Sequence, residues 1–403
     1  MIMIHRLSAS VSKSVLAALA FTIGASETAL AQSWHETLAD AAGETVYFNA
    51  WGGDERINAY IAWAGDRVQE DFDVTVRHVK LADTAEAVNR VRLEQQAGKD
   101  EDGSIDLIWI NGENFATMKR EGLLFGPWAE QLPAFVGVDV DGKPTTVLDF
   151  QTPTEGFEAP WGMAQFNVIV DGALAPDFPT ALSDLTDWAT QNPGRFTYPQ
   201  PPNFLGTTFL KQATLALSDD PNALYAPVDV ADFAAVTAPV WAFLDQLHPN
   251  LWQRGQNFPD SGPAAQQSLS DAESAATLSF FPLEGPALVA AETFVEATVV
   301  QGFDGGSIGN THFVAIPFNS SAAAGAQVFA NFLMTPEAQI RKQSLAAWGD
   351  ATVLDESRLS AAEQSALLEA TNGLSVSVGS VLPEPHPSWT SALEAAWLQR
   401  YGS

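Results

Sequence analysis

The strongest constraint in this sequence is a unit that occurs twice: a short apolar run, a polar break containing glycine, and a helical repeat. In the first copy Val46, Tyr47 and Phe48 lead into Asn49-Ala50-Trp51-Gly52-Gly53-Asp54, after which Ile57, Ile61, Ala64 and Val68 recur at helical spacing. In the second, residues 105–110 (IDLIWI) are almost continuously apolar, as expected of a strand buried on both faces. Asn111-Gly112-Glu113-Asn114 follows, then a helix from Phe115 to about Glu121. Between the two copies Val74 to Val79 alternates as a further strand. Asp83 with Glu86 reads as a capping box for a helix through about Gln96, which Gly98 ends. Alternating units of this kind predict an α/β fold with a parallel sheet. They also put both polar loops at the carboxyl ends of strands, where helix N–H groups point outward and ligands bind.

The second half is organised differently. Residues 159–171 (APWGMAQFNVIVD) read as a strand with no helix before it, a crossing between two lobes, and 311–318 as the return crossing. Between them the pattern predicts a helix from Leu182 to Gln191, a strand over 194–198 and a proline-rich loop, 199–208, feeding a helix. A helix over 230–247, a polar loop over 251–270 and a strand over 276–281 come next, with Pro282 to Gly285 turning into another helix. Gly302 to Asn310 reads as a flexible turn. Residues 322–334 form a helix, Thr335-Pro336 caps the next one, and a helix over 389–401 closes the chain.

Residues 1–31 read as a cleaved secretory signal peptide. Arg6 and Lys13 precede the apolar run 15–23, and Ala29-Leu30-Ala31 supplies an A-x-A site. The run is about half of the ~20 residues a membrane span needs. The chain has no cysteine, hence no lipid attachment point and no disulfide framework. A periplasmic, soluble, monomeric protein is expected. Removing Arg6, Lys13 and Glu27 takes the formal net charge from −30 to −31, a surface unsuited to nucleic acid or anionic membrane.

Signatures of enzymes are mostly missing. The six histidines (5, 35, 78, 248, 312 and 386) show no metal-ligand spacing, and no G-x-S-x-G, P-loop or dinucleotide fingerprint occurs. No cofactor and no metal are expected. The candidate ligand-binding residues are aromatic and polar groups at loop edges: Asn49, Trp51, Gly53, Asn111, Glu113, Trp161, Phe204, Thr207, Thr208 and Glu284. Each has a plainer alternative. Trp51 and Trp161 could serve as core or hinge packing, and Asn111, Glu113, Thr207 and Thr208 as helix caps.

Taken together, VYFNAWGGD, DLIWINGEN, PWGMAQFN and FANFLMTPEAQ resemble the type II extracellular solute-binding proteins of ABC importers, the YnjB-type subgroup in particular. The resemblance spans the chain beyond the signal segment. It implies the type II periplasmic-binding-protein fold: two α/β lobes joined by hinge strands around a ligand cleft. The expected division is 32–160 with 312–350 as the first lobe, and 161–311 with 351–403 as the second. It further implies capture of a small solute and delivery to an inner-membrane ABC permease and ATPase complex. Proteins of this group carry polyamines, thiamine, iron or oxyanions, so the family does not choose the ligand. Carboxylates and aromatic rings in the loops favour a cationic or zwitterionic solute, whereas the glycine-flanked helix starts could hold an anion. Two other readings stay open: a periplasmic hydrolase or transferase using Glu113 or Glu284, and a ligand sensor that shares the fold.

Overall fold

A computed structural model describes residues 34–402 apart from 375 and 377; the segment read as a signal peptide lies outside the described residues. Strand β1 (Thr45–Trp51) buries Val46, Phe48 and Ala50. Asp54 then caps helix Glu55–Phe72 by accepting hydrogen bonds from Arg56 N at 2.7 Å and Ile57 N at 3.2 Å. Ile57, Ile61, Ala64 and Val68 form its buried face, as their spacing predicts. β2 (Thr75–Leu81) and β3 (Leu107–Ile110) both pair with β1 in parallel. Helix Ala85–Gln96 has Thr84 rather than Asp83 as its N-cap residue, with no side-chain capping bond; of the expected capping box only the Glu86 half forms, Asp83 N donating to Glu86 Oε1 at 3.1 Å, while Asp83 Oδ1 accepts from Ala85 N at 2.7 Å.

The irregular segment that follows contains a two-residue hairpin, β4 (Leu148–Asp149) and β5 (Thr152–Pro153). The crossing strand is broken in two. β6 (Glu158–Gln165) runs antiparallel to β10 (Ser307–Ala315), whereas β7 (Asn167–Asp171) is the centre of a separate sheet between β8 (Ala276–Ser279) and β9 (Thr298–Gln301). The break comes where the backbone changes partners: Gln165 N donates to Phe280 O and Phe166 N to Ile308 O. The return crossing is β10 (Ser307–Ala315), which starts earlier than expected. Gly309 therefore belongs to the strand rather than to a turn. A Cβ there would stand 2.6 Å from Val381 Cγ1, so the glycine admits the parallel neighbour β11 (Val381–Pro383).

β10 ties the lobes together. Its first residues pair with β11, its last with β3, and β6 accompanies it from Gly309 to Ala315. The larger sheet therefore has the order β11-β10-β3-β1-β2; β1, β2 and β3 are parallel as predicted, but β10 runs antiparallel to β3, and the three-stranded sheet of the second lobe is antiparallel. Residues 194–198 form no ladder. Phe196 and Tyr198 are buried, but Arg195 O and Phe196 O accept single bonds from Ala275 N and Trp252 N. The expected polar loop over 251–270 contains helix Gly262–Ser270, started by Ser261 as N-cap with proline in its first turn.

One core joins Phe48, Tyr60, Trp161, Phe329 and Trp348, and another joins Phe166, Tyr198, Phe209, Trp389 and Trp397. Phe329 meets Phe48 at 5.6 Å between ring centroids. Leu345 N donates to Ala370 O. Beyond residue 350 the chain packs Val353 and Leu354 with the first core before Trp389 joins the second.

Candidate functional site in the interlobe cleft

At one end of the cleft an ion pair spans the lobes. Arg56, in the first turn of its helix, places Nη2 3.1 Å from Glu284 Oε1 and 3.2 Å from Asp54 Oδ2. Glu284 Oε2 accepts from Ser279 Oγ at 2.5 Å. Burial pushes the Glu284 carboxyl above its ordinary range, and the Ser279 bond and the Arg56 charge oppose it. Leu283 and Ala287 pack beside this pair against Leu345 of the first lobe. Trp51 folds over the loop that follows β1, so that a Cβ on Gly53 would collide with its indole ring.

Aromatic rings make the floor. Trp109 and Trp161 meet edge-on at 4.9 Å, Trp348 lies 5.3 Å from Trp161, and His312 stacks on Trp348 at 5.9 Å. Phe281 of the second lobe reaches Trp348 at 5.7 Å. Beneath them Lys342 Nζ and Asp350 Oδ2 pair at 2.5 Å, fully buried. His312 Nε2 stands 3.3 Å from Asp350 Oδ1, off the line of a hydrogen bond. Gly162 lets this network approach β6, since a Cβ there would overlap Asp350 Oδ2.

The other end is the most highly charged part of the cleft. Lys211, on helix Phe204–Leu217, puts Nζ 2.6 Å from Glu384 Oε2, the two side chains 1% and 2% exposed. The same ammonium lies 4.5 Å from the Phe150 ring and 5.7 Å from Phe204. Asn310 Nδ2 donates to Glu384 Oε1 at 2.9 Å, and Gln151 Nε2 to Glu384 O at 2.9 Å. From the first lobe, Gly112 holds φ at +60° with its Cα close to the Phe150 ring, and its N–H donates to Asp149 Oδ2 at 2.6 Å. Glu113 follows directly. Burial raises its carboxyl, with Lys211 pulling it back and Glu384 and Asp83 pushing it further up. From the second lobe, Glu394 accepts from Thr207 Oγ1 at 2.7 Å. Burial, with the nearby Glu113 and Asp83 charges, brings its pKa to about 7, against the Thr207 bond and Lys211. Asp149 and Glu158 lie deeper, and burial drives both well above the carboxylate range.

The family model for bacterial extracellular solute-binding proteins matches residues 63–370. The chain belongs to this family. Membership implies a small-molecule ligand and an ABC transporter as partner. The solute-binding protein is 43% identical over 374 residues to Protein YnjB of Escherichia coli (strain K12), across 93% of this chain and 95% of that one. Its fold is similar to that of AfuA from Actinobacillus pleuropneumoniae with fructose-6-phosphate bound, at a TM-score of 0.63 and 12% identity over 89% of this chain and 99% of that chain. It is also similar to the spermidine/putrescine substrate-binding protein PotD from Streptococcus pneumoniae, at 0.58 and 15%, over 89% and 100%. These likenesses establish the type II periplasmic-binding-protein fold. Among the described residues no helix is long and apolar enough to cross a membrane, and no group of three or more His, Asp or Glu side chains could hold a metal ion.

Within the solute-binding protein, Glu113, Phe204 and Thr207 converge on the Lys211 end, and Trp51, Gly53 and Glu284 belong to the Arg56 end. Asn111 is the N-cap residue of helix Gly112–Arg120, yet its side chain makes no capping bond. Asn49 and Trp161 are buried: Asn49 Nδ2 donates to Tyr47 O, and Trp161 is core packing within the aromatic floor. Thr208 is wholly buried one residue beyond Thr207, with its hydroxyl unpartnered. The sequence reading missed Lys211, Glu384, Glu394, Asn310 and Phe150. Lys211 carried a signal, being the one charge in the helix FLGTTFLKQATLAL; a lone lysine in an apolar helix needs a buried partner. The others carried none.

Proposed function

We propose that this protein captures a small cationic or zwitterionic solute between its lobes in the periplasm and hands it to an inner-membrane ABC permease and ATPase complex without chemical turnover. The observation that supports this most is the charge imbalance at the Lys211 end. The lysine is paired with Glu384, while Glu113 and Glu394 approach from opposite lobes and form no ion pair of their own among the described residues. A cation entering there relieves that repulsion only when the lobes close, which couples ligand charge to domain closure. Phe204, 42% exposed, offers a ring face to the same cation, while Phe150 is buried beneath Lys211. Mass spectrometry of the solute released on denaturation, with a thermal-shift screen of amines, amino acids and oxyanions, tests the reading. Stabilisation by oxyanions alone would overturn it.

A further inference from the structure

The acceptors left without partners at the Lys211 end distinguish among cations. Asn310 is 3% exposed, and its Nδ2 is committed to Glu384 Oε1. That bond settles the orientation of the amide, because only an N–H can face a carboxylate. Oδ1 is therefore an acceptor by necessity, and it is buried with no partner. Lys211 Nζ holds the second oxygen of Glu384 at 2.6 Å and makes no bond to Asn310 Oδ1. Glu394 has one identified donor, the Thr207 hydroxyl, and Glu113 has only its own backbone N–H. What this corner lacks is hydrogen-bond donors as well as positive charge. A quaternary ammonium brings charge and no N–H. A protonated primary or secondary amine, an amidinium or a guanidinium brings both.

We infer that Glu113, Glu394 and Asn310 form a subsite for an N–H-bearing cationic head group, with Phe204 as its aromatic side. The inference rests on the cationic reading above and narrows it. Discrimination comes from the cost of leaving buried acceptors unpaired. A permethylated ligand keeps the charge and the ring contacts but leaves Asn310 Oδ1 unpaired and adds no donor to the single one that each carboxylate already has.

Isothermal titration of the full-length mature protein with matched pairs provides the test: 1,4-diaminobutane, 4-aminobutyrate and ethanolamine, each beside its N-permethylated counterpart, with agmatine as the guanidinium probe. At least one N–H cation should bind, and its permethylated partner should bind about tenfold more weakly or worse. Glu394→Gln, at a half-buried position, should weaken the N–H ligand by about tenfold and narrow the gap between the pair. Asn310→Leu should narrow the gap through the neutral acceptor alone. Equal or tighter binding of permethylated ligands would overturn the inference while sparing the cationic reading, as would a gap unchanged in both variants. Failure of every cation, with binding of a sugar phosphate or inorganic phosphate instead, would overturn the reading beneath it as well.

Discussion

Arg56 and Glu284 are 228 residues apart in sequence and 3.1 Å apart in space, joining the start of helix Glu55–Phe72 in one lobe to the start of helix Glu284–Ala290 in the other. Arg56 is shared with Asp54, the residue that caps its own helix, so the bridge is anchored on a rigid element. The arginine side chain is 26% exposed, which limits the pair to about 1 kcal/mol. Arg56→Ala should therefore favour the open arrangement modestly. Small-angle scattering should show a larger radius of gyration than wild type under the same ligand concentration, with an unchanged circular dichroism spectrum. Raising the salt should move wild type towards the variant. Identical scattering curves at low salt would remove the pair from the closure mechanism.

Lys342 and Asp350 form a fully buried pair under the aromatic floor. Burial lowers the lysine pKa and the aspartate opposes that shift. Lys342→Met strands a carboxylate in the core and should cost about 3–5 kcal/mol in urea unfolding. The double variant Lys342→Met/Asp350→Leu should recover a large part of that loss. A double variant no more stable than the single would show that the pair is needed for more than mutual neutralisation.

Glu394 makes stability depend on pH in a defined direction. Its folded pKa of about 7 lies above the ordinary 4.5, so between these values the native state holds a proton that the unfolded chain has lost. Stability is greatest below about 4.5 and falls as pH rises through 7. Because the group is partly exposed, the loss is on the order of 1–2 kcal/mol. Glu394→Gln should flatten thermal midpoints across this window. A cation bound beside it would also release protons near neutral pH, which titration in buffers of different ionisation enthalpy reads directly.

His248 has the opposite slope. Burial holds its pKa down to about 4, and Tyr198 Oη lies 2.7 Å from Nε2. The unfolded chain takes up a proton near 6.5 and the native state does not, so stability is full above that value and is lost as pH falls towards 4, by up to about 3 kcal/mol. His248→Gln should remove this acid-side decline at some cost in packing near neutral pH. An unchanged decline between pH 6.5 and 4 in the variant would assign it to other groups.

Local signals in the sequence determined the parts whose physics is local. Ile57, Ile61, Ala64 and Val68 specify a helix face because the 3.6-residue period acts within a single element, and Thr335 with Pro336 caps a helix across three residues or fewer. Strand, glycine loop and helix twice over likewise placed the polar loops at one edge of a parallel sheet. Tertiary structure alone decided the rest, because those choices depend on partners distant in sequence. Whether Gly309 lies in a turn or a strand depends on Val381, and whether β7 continues β6 depends on what Gln165 and Phe166 meet. Glu113 and Glu284 could both be suspected as cleft carboxylates, but one is matched by Arg56 and the other is not. Lys211 is neutralised by a glutamate 173 residues away, and that pairing leaves Asn310 Oδ1 as a buried acceptor with no donor. A chain can encode such a deficit only by folding, since an unpaired acceptor is costly only once water has been removed from it.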